Sequence, residues 1–479
     1  VMAVLLAAAL LSLAGCAAGD PAASSAAGAS GVDASTSANA GGPSEAALSS
    51  DALAINLEAM DFDYSDCDKD ASYDAAAATR VALAGDAASV EGAGASAEGS
   101  VITVTAAGTY VVSGELADGQ IVVDAASEDK VQLVLDGARI HNADGPAIYV
   151  RKADKVFVTL AADSANALTD GADYVLDQDD EPNATLFSHD DLTINGTGSL
   201  EVTSAYRHAV CSKDDLVVTG GALSVSAAED GLRGRDCVKI ADGTFAITAG
   251  EDAVKSSNDE DGSRGFTCID GGTFDITAGD DAVHAESVLR VTGGSVDVAT
   301  CNEGLEAEQV QVSGGEVSIV ANDDGVNAAA RDTVTGGADN APGVSEGSCL
   351  LQISGGRLEV ASAGDALDSN GDLAITGGAV ILHVPANPDD TVVDCDGSIS
   401  LAGGTVTQVA ADGTETQLTQ ELMGQMGAGG GMGGMGKGGP SGMGGEGDKA
   451  LRGPGAAPEA PAKAPDFAAV DRDSLEGVG

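Results

Sequence analysis

The stretch Val238-Lys239-Ile240-Ala241-Asp242-Gly243-Thr244-Phe245-Ala246-Ile247-Thr248-Ala249-Gly250-Glu251-Asp252-Ala253-Val254 decides the fold. Val238 and Ile240 alternate before a glycine turn, Phe245 and Ile247 alternate after it, and an acidic pair and Val254 close the unit. Period-2 patterning on both sides of a turn predicts short strands whose alternate side chains share one face. The pattern recurs across 215–382, anchored on Gly221, Gly243, Gly272, Gly294, Gly315, Gly356 and Gly378. The intervals are 22, 29, 22, 21, 41 and 22 residues, a basic period with two insertions. One such unit cannot bury its apolar face alone, but copies stacked on one another can, which predicts a β-solenoid.

A second register runs beside the first. Nine residues after the first six anchors stand Asp230, Asp252, Asp281, Glu303, Asp324 and Asp365. Three further on stand Arg233, Lys255, His284, Glu306, Asn327 and Asp368, all polar or charged. Between the two columns Leu232, Val254, Val283, Leu305, Val326 and Leu367 are always apolar. The alternation predicts one residue turned inward and its neighbours forming an outward ribbon of carboxylates.

The flanks read differently. Residues 1–16 are an apolar run ending in Leu13-Ala14-Gly15-Cys16, which matches a lipoprotein signal with its lipobox, though without a positive flank. Cleavage after Gly15 and lipidation of Cys16 would anchor the protein on the extracellular face of the cell membrane. Residues 17–50 are Ala/Ser/Gly-rich and predict a disordered tether. An N-terminal cap region spans 51–99, where Val81-Ala82-Leu83 would cover the first coil. Its loop with Asp61, Asp63, Asp66, Asp68 and Asp70 is either a calcium site or solvated surface. The solenoid is expected over 100–410, interrupted by a second acidic loop from Asp170 to Pro182. From 411 to 479 the chain turns Gly/Met- and Pro-rich and predicts a disordered tail, although thioethers could also take soft Cu(I).

The net charge of −54 argues against nucleic acid or an anionic membrane surface as partner, since both would repel the chain. Beyond Cys16, the seven cysteines show no metal-type spacing and fall at different offsets in their coils, so no pairing follows from them.

The runs Gly108-Thr109-Tyr110, Ser113-Gly114, Gln120-Ile121-Val122-Val123, Val134-Leu135-Asp136-Gly137, Asp170-Gly171 and Asp191-Leu192-Thr193-Ile194-Asn195-Gly196 precede the glycine/acid coils. Together with them they resemble the bacterial carbohydrate-binding domain-containing protein family over roughly 55–410. The resemblance implies an exported right-handed single-stranded parallel β-helix, similar in fold to pectate lyases. It also implies calcium and plant polysaccharides such as cellulose and polygalacturonate. Two departures stand out. His208 replaces the acid in the first coil, and the last copy breaks at Pro385 and Pro388.

Coils about 4.8 Å apart set neighbouring carboxylates to repel by roughly 1 kcal/mol in water and roughly 3 kcal/mol at an effective dielectric near 20. Arg233 and Lys255 can offset two rungs. For the rest, calcium is one remedy, with Asp230, Asp252, Asp281, Glu303, Glu306, Asp324 and Asp365 as candidate ligands. The other is turn hydrogen bonding by exposed, screened carboxylates. The functional expectation is a monomeric module that binds an acidic polysaccharide through a calcium-loaded face. The absence of Trp favours uronate polymers over cellulose. The alternatives are a calcium-assisted polysaccharide lyase with Lys255 or Arg233 as base, and a structural adhesin.

Overall fold

The computed structural model of the chain describes residues 55–176, 182–330 and 349–427. The Cys16 lipobox, the 17–50 tether, Asp177, Asp179, Asp180 and Glu181 of the second acidic loop, and the tail beyond 427 lie outside the described residues.

Each regular coil contributes three strands, and each strand pairs in parallel with its counterpart one coil away. One coil is His208–Ser212, Asp215–Val218 and Ala222–Ala227; the next is Leu232–Gly234, Cys237–Ile240 and Thr244–Ala249. The three positions define a first, second and third face of a parallel β-helix. Along the third face Leu223, Phe245, Phe274, Val296, Val317, Leu358 and Val380 stack in register. All are buried, and the Phe245 and Phe274 rings lie 4.4 Å apart and nearly parallel at 8°. These are the residues placed two after each glycine anchor, so the period-2 pattern has become a column of side chains inside the coil.

The anchors themselves close the turn between second and third faces. Gly315 has φ +79°, and a Cβ there would sit 2.8 Å from the Gly293 carbonyl oxygen of the coil beneath. Two demands therefore select glycine: a left-handed backbone and the close approach of stacked main chains.

Both ends are covered by antiparallel pairing, which blocks edge-to-edge association. Thr79–Gly85 lies parallel to Gly108–Leu116 on one side and antiparallel to Ala87–Glu91 on the other, as expected for the strand at Val81. At the far end Ile399–Val409 pairs with Glu415–Gln417. The helix Gln420–Gly427 then follows, with Met423 and Leu418 buried. Ordered structure thus passes the boundary at 411 where the tail was placed, because two apolar side chains in that segment close the open end of the core.

The acidic segment around Asp61–Asp70 is a strap along the outside of the second face. Asn56 N–H donates to the Gly262 carbonyl at 2.9 Å, and Phe62 packs on Phe266 at 4.8 Å with Arg290 4.2 Å above its ring. The Tyr64 hydroxyl donates to Asp270 at 2.9 Å, and Lys239 Nζ donates to the Asp61 and Asp63 carbonyls at 3.1 and 2.8 Å. Asp68 is buried against Lys155 at 2.8 Å and accepts from Thr193 at 2.6 Å. Lys155, Lys239 and Arg290 make this outer face cationic, and the acid-rich segment is matched to it. Asp68 is held down to about 2: burial alone would raise it, but the Lys155 and Thr193 hydrogen bonds prevail. In the second acidic loop Asp170 is likewise a buried hydrogen-bond acceptor. Of the seven described cysteines only Cys67 is exposed.

Candidate functional site

The acid register lies where each third-face strand turns into the short first-face strand of the next coil. Arg233, Lys255, His284, Glu306, Asn327 and Asp368 are consecutive partners across the first face, so the second column of the sequence is a true column in space.

The acid column is not an outward ribbon. Asp230 and Asp252 are 0% and 1% exposed, and Asp281 is also buried. The reason is hydrogen bonding between coils. Asp252 N–H donates to Asp230 Oδ1 at 3.2 Å, Asp281 N–H to Asp252 Oδ1 at 2.9 Å, and Asp365 N–H to Asp324 Oδ1 at 2.7 Å. Asp365 Oδ1 in turn accepts from Thr391 N–H at 2.5 Å. Each of these carboxylates supplies the acceptor that a turn N–H in the next coil would otherwise lack. His208 fills the same role in the first coil, where its Nδ1 accepts from Asp230 N–H at 3.2 Å. Burial depresses the His208 pKa to about 3, which keeps the imidazole neutral and able to accept. Glu303, one methylene longer, takes a different partner, accepting from Asn327 Nδ2 at 2.9 Å.

What each acid does with its second oxygen divides the column in two. Arg233 donates to Asp230 Oδ2 at 2.6 Å and Lys255 to Asp252 Oδ2 at 2.5 Å. With both oxygens engaged and the charge matched, Asp230 and Asp252 have little left to offer a cation. Burial opposes charge on Lys255, yet Asp252 outweighs it and raises the ammonium pKa; Arg233 is raised in the same way by Asp230. In this geometry the two residues named for a lyase reading are ion-pair partners of column acids. His284 Nδ1 lies 3.0 Å from Asp281 and 2.8 Å from Glu306. Burial disfavours its charge, but hydrogen bonds to Asp281, Glu286 and Glu306 raise its pKa well above the ordinary value, making it an imidazolium.

Beyond His284 the column runs out of cations. Asp281, Glu303 and Glu306 each bring an oxygen within 4.8 Å of the others. Burial, then the Glu306 charge, lifts Glu303 to about 7, and burial also raises Asp281. Asp324 and Asp368 reach about 7 through burial and the acids around them. Beside the group, the buried Asn327 amide oxygen has no hydrogen-bond partner. Three carboxyl groups around one imidazole, with an orphaned amide oxygen alongside, form a hard oxygen donor set. Such a set fits calcium, which accepts many oxygens in flexible geometry. Asp252, Asp281 and His284 also cluster, but the Lys255 ammonium on Asp252 and the charge on His284 disfavour a cation there. A third cluster, Asp191, Asp214 and Asp215, was not singled out by the repeat; its signal is the acid pairs 190–191 and 214–215 in successive coils.

All of these residues lie within the span matched by a family model described as carbohydrate-binding domain-containing protein, residues 98–390. The chain belongs to this family. A family relative from Acetivibrio thermocellus, described by the same words, is 41% identical over 128 residues, which is 26% of this chain and 45% of the relative. The chain therefore spans about half the length of that relative. Among solved structures, the polysaccharide lyase-like protein from C. thermocellum, in a gadolinium derivative, is 36% identical with a TM-score of 0.46. It covers 46% of this chain and 91% of its own.

Proposed function

We propose that the protein binds an acidic polysaccharide of the polygalacturonate type along the edge formed by the acid column, and that calcium held by Asp281, Glu303 and Glu306 takes part. The observation that carries this is the group of three carboxyls sharing one imidazole beside the unpartnered Asn327 oxygen. Calcium would supply the positive charge that lets sugar carboxylates approach a chain of net charge −54. The protein's own part is positional: backbone N–H bonds fix Asp324 and Asp365, His284 holds Asp281 and Glu306 together, and Asn327 orients Glu303. Asp324, Asp365 and Asp368 would extend the same negative track by further coils. We further propose that Cys16 carries lipid and presents this edge outside the cell.

The test is retention on insoluble polygalacturonate. Binding should vanish in EDTA, return with calcium, and weaken when Asp281 and Asp324 are changed to Asn, which keeps the shape and removes the charge. Retention unchanged by EDTA would sink the calcium reading. A rise in unsaturated-product absorbance would replace binding by lyase chemistry.

A further inference from the structure

Aromatic side chains in this protein are few, and in every described pair but one at least one ring is buried. Tyr174 and Tyr206 stack at 4.2 Å and 16°, and among the described residues theirs is the one aromatic pair in which neither ring is buried. Phe245 and Phe274 lie in the core, Tyr149 and Phe187 are buried, and Phe62 packs on buried Phe266 beneath the strap.

The pair is held by one residue. Asp170, 7% exposed, accepts from the Tyr174 hydroxyl at 2.7 Å, Thr185 Oγ1 at 2.9 Å, Ser204 Oγ at 2.9 Å and Ala205 N–H at 2.6 Å. The first of these bonds fixes Tyr174. The last two fix the turn that carries Tyr206. One buried carboxylate therefore sets the relative position of both rings, and no ordering remains to be done when a ligand arrives.

Their place in the fold connects them to the acid column. Tyr206 stands in the same third-to-first-face turn as the acids, two residues before His208, which occupies the rung below Asp230. From the Tyr206 coil to the Asp281 coil is three coil spacings, about 14 Å. An oligosaccharide lying along this edge reaches both. The Arg207 guanidinium beside Tyr206 is matched by Glu229 at 2.6 Å, so no spare charge marks the position.

We infer that Tyr206, backed by Tyr174 and positioned through Asp170, is a metal-independent subsite that stacks one pyranose ring of the strand bound along the acid column. A pyranose presents a face of C–H groups that packs on a π face whether or not the sugar carries a carboxylate. The subsite therefore selects ring shape, while the Asp281–Glu303–Glu306 group selects charge. This rests on the reading that a glycan lies along this edge.

The probe is carboxyl-reduced polygalacturonate oligosaccharide, which keeps the linkage and has no charge for calcium to bridge. It is titrated into the full chain in EDTA and followed by calorimetry. Wild type should bind, Tyr206→Ala should bind about tenfold more weakly, and Tyr206→Phe should match wild type within about twofold. Tyr206→Leu, which keeps apolar bulk without a π face, should behave like Tyr206→Ala. An unaltered melting temperature shows each variant to be folded. The inference is overturned if wild type does not bind the neutral probe, or if Tyr206→Ala or Tyr206→Leu binds as tightly as wild type. Failure of the calcium reading shows separately, as EDTA-insensitive retention of the charged polymer.

Discussion

At the scale of single residues, the acid column does two jobs with the two oxygens of each carboxylate. Oδ1 of Asp230 and Asp252 completes a turn in the next coil, and Oδ2 holds a cation from the neighbouring column. Lys255→Ala should therefore destabilise the protein by about 3 kcal/mol, because it strands the buried Asp252 carboxylate. Lys255→Ala with Asp252→Asn should recover most of that loss, since Asn keeps an acceptor for Asp281 N–H. Urea unfolding of wild type and the two variants measures both effects, and equal losses in the single and double variants would refute the pairing. Repeat spacing made Asp252 and Lys255 visible as candidates. It could not tell a metal ligand from an ion-pair partner, because that depends on which side chain three residues away folds back onto the carboxylate.

Glu303, Asp324 and Asp368, with folded pKa values raised to about 7, set a pH dependence. A carboxyl group raised in the folded state binds its proton there more tightly than in the unfolded chain. Its stability is full below the unfolded value near 4 and is lost as pH rises through about 7. His208 acts in the opposite sense, but only between its folded value of about 3 and its unfolded value near 6.5. Between about pH 6.5 and 8 the carboxylates should therefore dominate. In EDTA the melting temperature should fall over that range, and saturating calcium should flatten the slope by stabilising the charged forms. A melting temperature that rises with pH in EDTA would contradict the buried, unpaired state of these acids.

At the scale of elements, the strap is the part whose role changed most between sequence and structure. Its aspartates read either as a cation-binding loop, because hard oxygens crowd a short segment, or as solvated surface. The opposing charge came from Lys155, Lys239 and Arg290, which are distant in sequence and fall on one face only after coiling. Asp68→Asn should loosen the strap by weakening its hold on Lys155, costing about 3 kcal/mol in this buried setting. Limited proteolysis should then cut within 55–78 faster while far-ultraviolet dichroism stays that of a β-solenoid. Unchanged cleavage would show that Phe62 and Tyr64 alone secure the segment.

At the scale of the whole molecule, the sequence by itself determined the solenoid. Glycine at a fixed interval and apolar residues at two and four beyond it leave a chain one way to bury its core, by stacking each coil on the last. Gly315 and the Leu223-to-Val380 column follow from local rules that need no knowledge of distant residues. The order of the acid and polar columns was equally legible, since register in a repeat is counted along the chain. Only tertiary structure decided how those columns work. It buried the first acids by pairing them with N–H groups of the next coil, neutralised them with Arg233 and Lys255, and left Asp281, Glu303 and Glu306 to share the one imidazole of His284. It also brought Tyr174 onto Tyr206 through Asp170. The physical reason is the same in each case. Strand patterning is set by neighbours along the chain, whereas charge, burial and stacking are set by neighbours across coils, which come from segments tens of residues away.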